Sequence, residues 1–91
     1  MKRNLNGRPA LHEVEQNIIR KISSYCKIEI GAIDPLAPMD QIALDSILAM
    51  TIIEELQHEY EVDLPNYLFY EHETIRSSAK YILGLIETAH T

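Results

Sequence analysis

The residues best suited to chemistry are the adjacent pair Asp45-Ser46. They stand where a long stretch without periodicity gives way to helical spacing, so both belong to a helix start. Serine and aspartate are preferred there because their side-chain oxygens accept hydrogen bonds from the first free backbone amides. A cap is therefore the plain structural role of either residue. A hydrolytic nucleophile at Ser46 would need a base and an orienting acid, and His12, His58, His72 and His90 are dispersed among different segments. Turnover by Ser46 is not expected.

Other reactive groups fare no better. Glu54 and His58, four apart on one helix face, or the run Glu71-His72-Glu73 could each contribute to a metal site, but further ligands are lacking and no metal is expected. Asp34, Asp40 and Asp45 do not follow calcium-loop spacing. Cys26 is the only cysteine, which excludes an intrachain disulfide and suits a reducing cytoplasm; near the end of a helix it reads as packing.

The elements that would position Asp45 and Ser46 follow from periodicity. Leu11, Val14, Ile18, Ile22 and Tyr25 recur at three- and four-residue spacing and predict a first helix to about Lys27. From Ile28 to Asp45 the pattern breaks, punctuated by Gly31, Pro35 and Pro38. A loop of that length is uncommon unless it serves a function. A second helix is expected from about Ser46 to Tyr60, with Ala49, Ile52, Ile53, Leu56 and Tyr60 facing a core and Thr51, Glu54, Glu55 and His58 opposite. Ile47 falls in the middle of that polar side, and Leu48 also lies off the buried arc.

Glu61 to Pro65 form a connector, and Tyr67-Leu68-Phe69-Tyr70 a short apolar segment. Thr74 is the expected cap of a last helix carrying Ile75, Ala79, Ile82 and Ile86, weakened slightly by Gly84. No strand alternation and no internal repeat occur. The expected fold is all-α: a four-helix bundle with three longer helices, a short third one, and a long loop between the first two. Residues 1–9 read as a leader or linker, 10–88 as the domain and 89–91 as a tail.

Bulk composition agrees with one small folded domain. The 91 residues are 46% hydrophobic and 24% charged, ordinary for a globular chain. No apolar run is long enough to span a bilayer, and Met1-Lys2-Arg3 is not followed by a signal-peptide core. Neither export nor membrane insertion is expected. The net charge of −6 is unevenly placed: eleven acids and no lysine or arginine lie between Ile28 and Ile75. Such a field repels nucleic acid and attracts basic protein surfaces, although acidic faces also serve solubility alone.

The run Ala43-Leu44-Asp45-Ser46-Ile47 resembles the signature of acyl carrier proteins, in which a Gly-x-Asp-Ser-Leu type of sequence opens the second helix. Glu59-Tyr60 is similar to the Glu-Phe that closes that helix in many carriers, and Val62-Asp63-Leu64-Pro65 to the segment entering the third. Leu68-Phe69 through Thr74-Ile75, then Tyr81-Ile82-Leu83, resemble the closing segment of polyketide-synthase carriers. The matches keep their order over roughly residues 11 to 86. Two departures stand out: Ala43 replaces the usual glycine, and Thr51 stands where many carriers have a partner-docking glutamate.

The resemblance implies that a phosphopantetheinyl transferase moves 4'-phosphopantetheine from coenzyme A to the Ser46 hydroxyl, with Asp45 as its neighbour in the cofactor site. A phosphate at a helix start is favoured by the helix dipole. It also implies a carrier without intrinsic catalysis that tethers acyl or polyketide intermediates as thioesters in polyketide or fatty acid biosynthesis. Acyltransferase, ketosynthase and other enzymes with basic docking surfaces would meet a monomer through Ile47, Thr51, Glu54, Glu55 and His58. The alternatives are a peptidyl or aryl carrier of nonribosomal peptide synthesis, less favoured because those more often place histidine before the serine, and an acidic helical interaction module without a prosthetic group.

Overall fold

The computed structural model describes residues 9–42 and 44–89. Ala43, His90 and all of the expected leader except Pro9 lie outside the described residues. Pro9 is buried, and Ala89 is still helical.

The first helix, α1, spans Leu11–Cys26 and buries Val14, Glu15, Ile18, Ile19 and Ile22. It ends where Lys27 takes a left-handed conformation (φ 59°) and donates its amide to the Ser23 carbonyl. The Ser23 hydroxyl donates to the Ile28 carbonyl at 2.6 Å and secures the turn. Tyr25, expected on the buried stripe, is instead 38% exposed. At the last turn of α1 its ring has left the core, and its hydroxyl donates to the Glu55 carboxylate.

The long loop is ordered by two 3₁₀ turns, Ile30–Ala32 and Met39–Gln41. Ile33 and Met39 reach into the core. Its second half is pinned at a distance: the Met39 amide donates to the Glu73 carbonyl at 2.6 Å, and the Arg76 amide to the Pro35 carbonyl at 3.0 Å. The chain leading to Asp45 is thereby tied to the start of the last helix.

Helix α2 spans Ser46–Tyr60 and buries Ala49, Ile52, Ile53 and Leu56. Tyr60, expected with them, is half-buried, and its hydroxyl accepts from the Asn17 side chain at 2.9 Å. After Glu61 takes a left-handed conformation (φ 55°), the Gln57 side chain accepts from the Leu64 amide at 2.7 Å and steers the connector back to the core. Helix α3 is one turn, Leu68–Glu71, anchored by buried Leu68 and Phe69.

Helix α4, Ile75–Ala89, buries Ile75, Ser78, Ala79, Ile82 and Ile86. Thr74 caps it as expected. Its hydroxyl accepts from the Ser77 amide at 3.0 Å while the Thr74 amide donates to the Ser77 hydroxyl at 3.1 Å, a capping box with serine in the reciprocal position. Helices α1 and α4 pack along one another, and Arg76 reaches from α4 to the buried Glu15 of α1 at 2.5 Å. Val14, Ile18 and Ile22 meet Ile52, Leu56, Leu68, Ile75 and Ile82 in one core. Among the described residues there is no strand, and no helix is long and apolar enough to cross a membrane.

Candidate functional site

Asp45 and Ser46 divide the two roles their types allow. Asp45 is the cap of α2: its backbone is extended, and its Oδ1 accepts from the Leu48 amide at 2.8 Å. Its carbonyl takes the Ala49 amide at 2.9 Å, the first bond of the helix. Ser46 is thus the first fully helical residue, exposed, with a hydroxyl that makes no hydrogen bond among the described residues. The capping task that would have occupied it is done by its neighbour.

Three of the four other serines are occupied: Ser23 bonds the end of α1, the Ser77 hydroxyl accepts from the Thr74 amide in the capping box of α4, and Ser78 donates to the His72 carbonyl at 3.3 Å. Ser46 is therefore available for modification, at the end of a 15-residue helix whose dipole favours an attached anion.

The surface beside it is apolar and then acidic. Ile47 is 74% exposed and Met50, one turn along, 46%. Thr51 turns its hydroxyl back to the Ile47 carbonyl at 2.9 Å, which leaves its methyl as the outward group. Glu54 and His58 continue the same face, both exposed. At its far end Glu54, His58, Glu61 and Asp63 border an open acidic hollow.

Glu55 departs from the expected arrangement. It does not share the outer face with Glu54 but turns toward α1, where Lys21 reaches it at 3.2 Å and Tyr25 donates to it. Lys21 also binds Glu59 at 2.5 Å, and Asn17 donates to Glu59 at 2.8 Å. The Tyr25 hydrogen bond holds the Glu55 carboxyl below the usual carboxylate range against burial, with Lys21 adding to it. Burial pushes Glu59 up, but Asn17 and Lys21 outweigh it. The base-free middle of the sequence is thus partly neutralised from α1 at Glu55 and Glu59, while Glu54, Glu61 and Asp63 make no ion pair among the described residues.

A hollow of about 340 Å³ opens between the loop, the start of α2 and α3. Leu44 and Ala49, on either side of Ser46 in sequence, contribute to its wall together with Met39, Ile42 and Phe69. Asp40, Tyr70 and Glu73, all exposed, line it as well. Met50 and this hollow escaped the sequence reading. Met50 lies three residues after Ile47 and was discoverable by extending that arc; the hollow depends on the folded path of the loop.

Comparison with known proteins decides the family. The family model described as a phosphopantetheine attachment site matches residues 16–82. The chain belongs to this family of carrier domains. Its members bind covalently attached 4'-phosphopantetheine, and the residues here fit such a group: at the positive end of α2 stands an exposed hydroxyl with no hydrogen-bond partner among the described residues.

The carrier's relatives are polyketide synthases. It is 32% identical over 74 residues to polyketide synthase PksL of Bacillus subtilis (strain 168), covering 80% of the chain and 2% of that protein. It is 28% identical over 75 residues to the non-reducing polyketide synthase PFUR17_0229 of Pseudevernia furfuracea, covering 82% and 4%. The chain therefore spans a small fraction of these relatives.

The four-helix fold recurs in solved carriers. The HMG-ACPI domain from the CurA module of Lyngbya majuscula superposes with a TM-score of 0.82 at 20% identity, covering all of this chain and 91% of that one. A free-standing peptidyl carrier protein from an uncharacterized secondary metabolic pathway of Acinetobacter baumannii gives 0.77 at 23%, covering 81% and 92%. The expected family and fold are both met. Among the described residues no group of three histidine, cysteine or acidic side chains could hold a metal.

Proposed function

We propose that Ser46 carries the phosphopantetheine arm and that the domain presents acyl or polyketide intermediates, held as thioesters, to the enzymes of a polyketide assembly line. The observation that carries this reading is the division of labour at the start of α2, where Asp45 caps the helix and the Ser46 hydroxyl is left exposed. When bound, the arm supplies a thiol whose thioesters activate a carbonyl for attack and acidify the carbon next to it. The chain's own residues position and do not catalyse. Asp45 orders the first turn of α2 through the Leu48 amide, the positive end of that helix would favour the phosphodiester, and Ile47 and Met50 would present an apolar contact near it.

The partners of this reading are a phosphopantetheinyl transferase, an acyltransferase and a ketosynthase in the cytoplasm. They dock on Ile47, Thr51, Glu54 and His58, with basic groups meeting Glu54, while Glu55 supports that face from behind through Lys21 and Tyr25. Electrostatic attraction of this kind speeds encounter and keeps binding transient. Asp45 and the polyketide-synthase relatives favour an acyl over a peptidyl carrier.

The sequence makes the test simple. Cleavage after lysine and arginine releases Ile28 to Arg76 as one peptide, and Ser46 is its only serine. After incubation with coenzyme A and a phosphopantetheinyl transferase, the modification is expected on Ser46 of this peptide. A modification found on any other residue overturns the assignment.

A further inference from the structure

Helix α1 presents one stripe of donors, Asn17, Lys21 and Tyr25, to the flank of α2. The Lys21 ammonium reaches Oε1 of Glu55 at 3.2 Å and Oε2 of Glu59 at 2.5 Å. Tyr25 donates to the other oxygen of Glu55, and Asn17 to the other oxygen of Glu59 at 2.8 Å. All four oxygens of the two carboxylates therefore accept from α1. The carboxylates are nevertheless open to solvent, with side-chain exposures of 36% and 41%, whereas that of Lys21 is 12%. The cation is largely covered, and the two acids that it binds are not.

At about 100° per residue, Glu55 and Glu59 form a column beside the one that carries Ile47, Thr51, Glu54 and His58. A basic group approaching α2 meets Glu54 unopposed, because Glu54 makes no ion pair among the described residues. At Glu55 or Glu59 it must displace a donor already in place. An arginine fork gains most from a carboxylate with both oxygens free, and neither acid offers one.

We propose that Lys21 is a specificity-determining residue of this carrier: it withholds Glu55 and Glu59 from the basic surfaces of partner proteins and confines docking to the column of Glu54. This rests on the reading of α2 as the docking helix. The partner so favoured carries one basic group over Glu54 and an apolar group over Ile47; a broadly basic surface gains nothing further along the flank.

The experiment titrates a hexa-arginine peptide at low salt into the whole chain as parent, Lys21→Met and Arg20→Met, followed by backbone amide shifts. Arg20 is exposed and makes no ion pair among the described residues. The two variants thus have equal net charge, and only one releases Glu55 and Glu59. In the parent and in Arg20→Met the peptide should shift Glu54 well beyond Glu55 and Glu59; in Lys21→Met all three should shift. The dissociation constant of Lys21→Met should lie roughly two- to fivefold below that of Arg20→Met, the range of an exposed ion pair. The difference should vanish at about 1 M salt. Methionine keeps the unbranched stem of lysine, and the amide spectrum reports the fold; Lys21→Gln is expected to act alike and stands in if Lys21→Met unfolds. Equal dissociation constants for the two variants, or Glu55 and Glu59 responding like Glu54 in the parent, overturns the inference. In loading by a phosphopantetheinyl transferase, Lys21→Met should lower KM by a like factor, with the change absent from kcat. The expected peptide response without a change in KM contradicts α2 as the docking helix instead, which keeps the two failures apart.

Discussion

The Oδ1 atom of Asp45 accepts from the Leu48 amide at 2.8 Å, and the Ser46 hydroxyl next to it has no partner among the described residues. The two neighbours should therefore respond oppositely to truncation. Asp45→Ala is expected to cost about 1 kcal/mol of stability through the lost cap. Ser46→Ala should stay within about 0.5 kcal/mol of the parent, as surface changes do. Urea unfolding followed by circular dichroism measures both; a larger loss for Ser46→Ala would mean that its hydroxyl caps after all.

The acidic residues of α2 should separate in the same manner. Glu54 is exposed and makes no ion pair among the described residues, whereas Glu55 is held by Lys21 and Tyr25. Glu54→Lys is expected to slow loading by a phosphopantetheinyl transferase several-fold at low salt and leave the unfolding midpoint unchanged. Glu55→Lys should lower that midpoint, because it sets a second cation against Lys21. Stopped kinetics and thermal unfolding on the two variants decide the matter, and identical behaviour would contradict it.

Acid should loosen the contact between α1 and α2. Glu55 and Glu59 are held below their ordinary value of 4.5, so their contribution is present above that value and is lost as pH falls through the depressed one. For Lys21, burial lowers the ordinary value of 10.5, but the Glu59 and Glu55 contacts outweigh it and raise the group, so its share persists until strongly alkaline pH. The carboxylates are partly exposed and screened, which limits the effect to about 0.5 kcal/mol. Urea midpoints between roughly pH 6 and pH 3 should fall more steeply for the parent than for Lys21→Met.

How much of this was legible in the sequence varied with the kind of contact involved. The four helices, the Thr74 cap and most of the core followed from spacing, since Val14, Ile18, Ile22, Ile52, Leu56, Ile75 and Ile82 repeat at helical intervals. The Asp45-Ser46 pair was visible as a helix start, but which residue caps and which is free depends on backbone conformation at one position. Tyr25 and Glu55 depart from the faces their own helices predict because their positions are set by a contact between α1 and α2. Periodicity carries no information about such contacts. The hollow was equally hidden, for it exists only because Met39 is pinned to Glu73 and Arg76 to Pro35 across the fold.

Ile47 gives a clean separation of stability from recognition. At 74% exposed it contributes little to the core, so Ile47→Ala should leave unfolding within about 0.5 kcal/mol of the parent. Transfer of an acyl group between the carrier and a ketosynthase should nevertheless slow several-fold, through loss of an apolar contact beside the arm. An unchanged transfer rate would place the contact elsewhere.

The central claim, that Ser46 is the attachment point, is tested most directly by intact mass of the parent and of Ser46→Ala after incubation with coenzyme A and a broad-specificity phosphopantetheinyl transferase. The parent should gain one phosphopantetheinyl group and the folded Ser46→Ala variant none. A parent that gains no mass, or a variant that gains the same mass, contradicts the account.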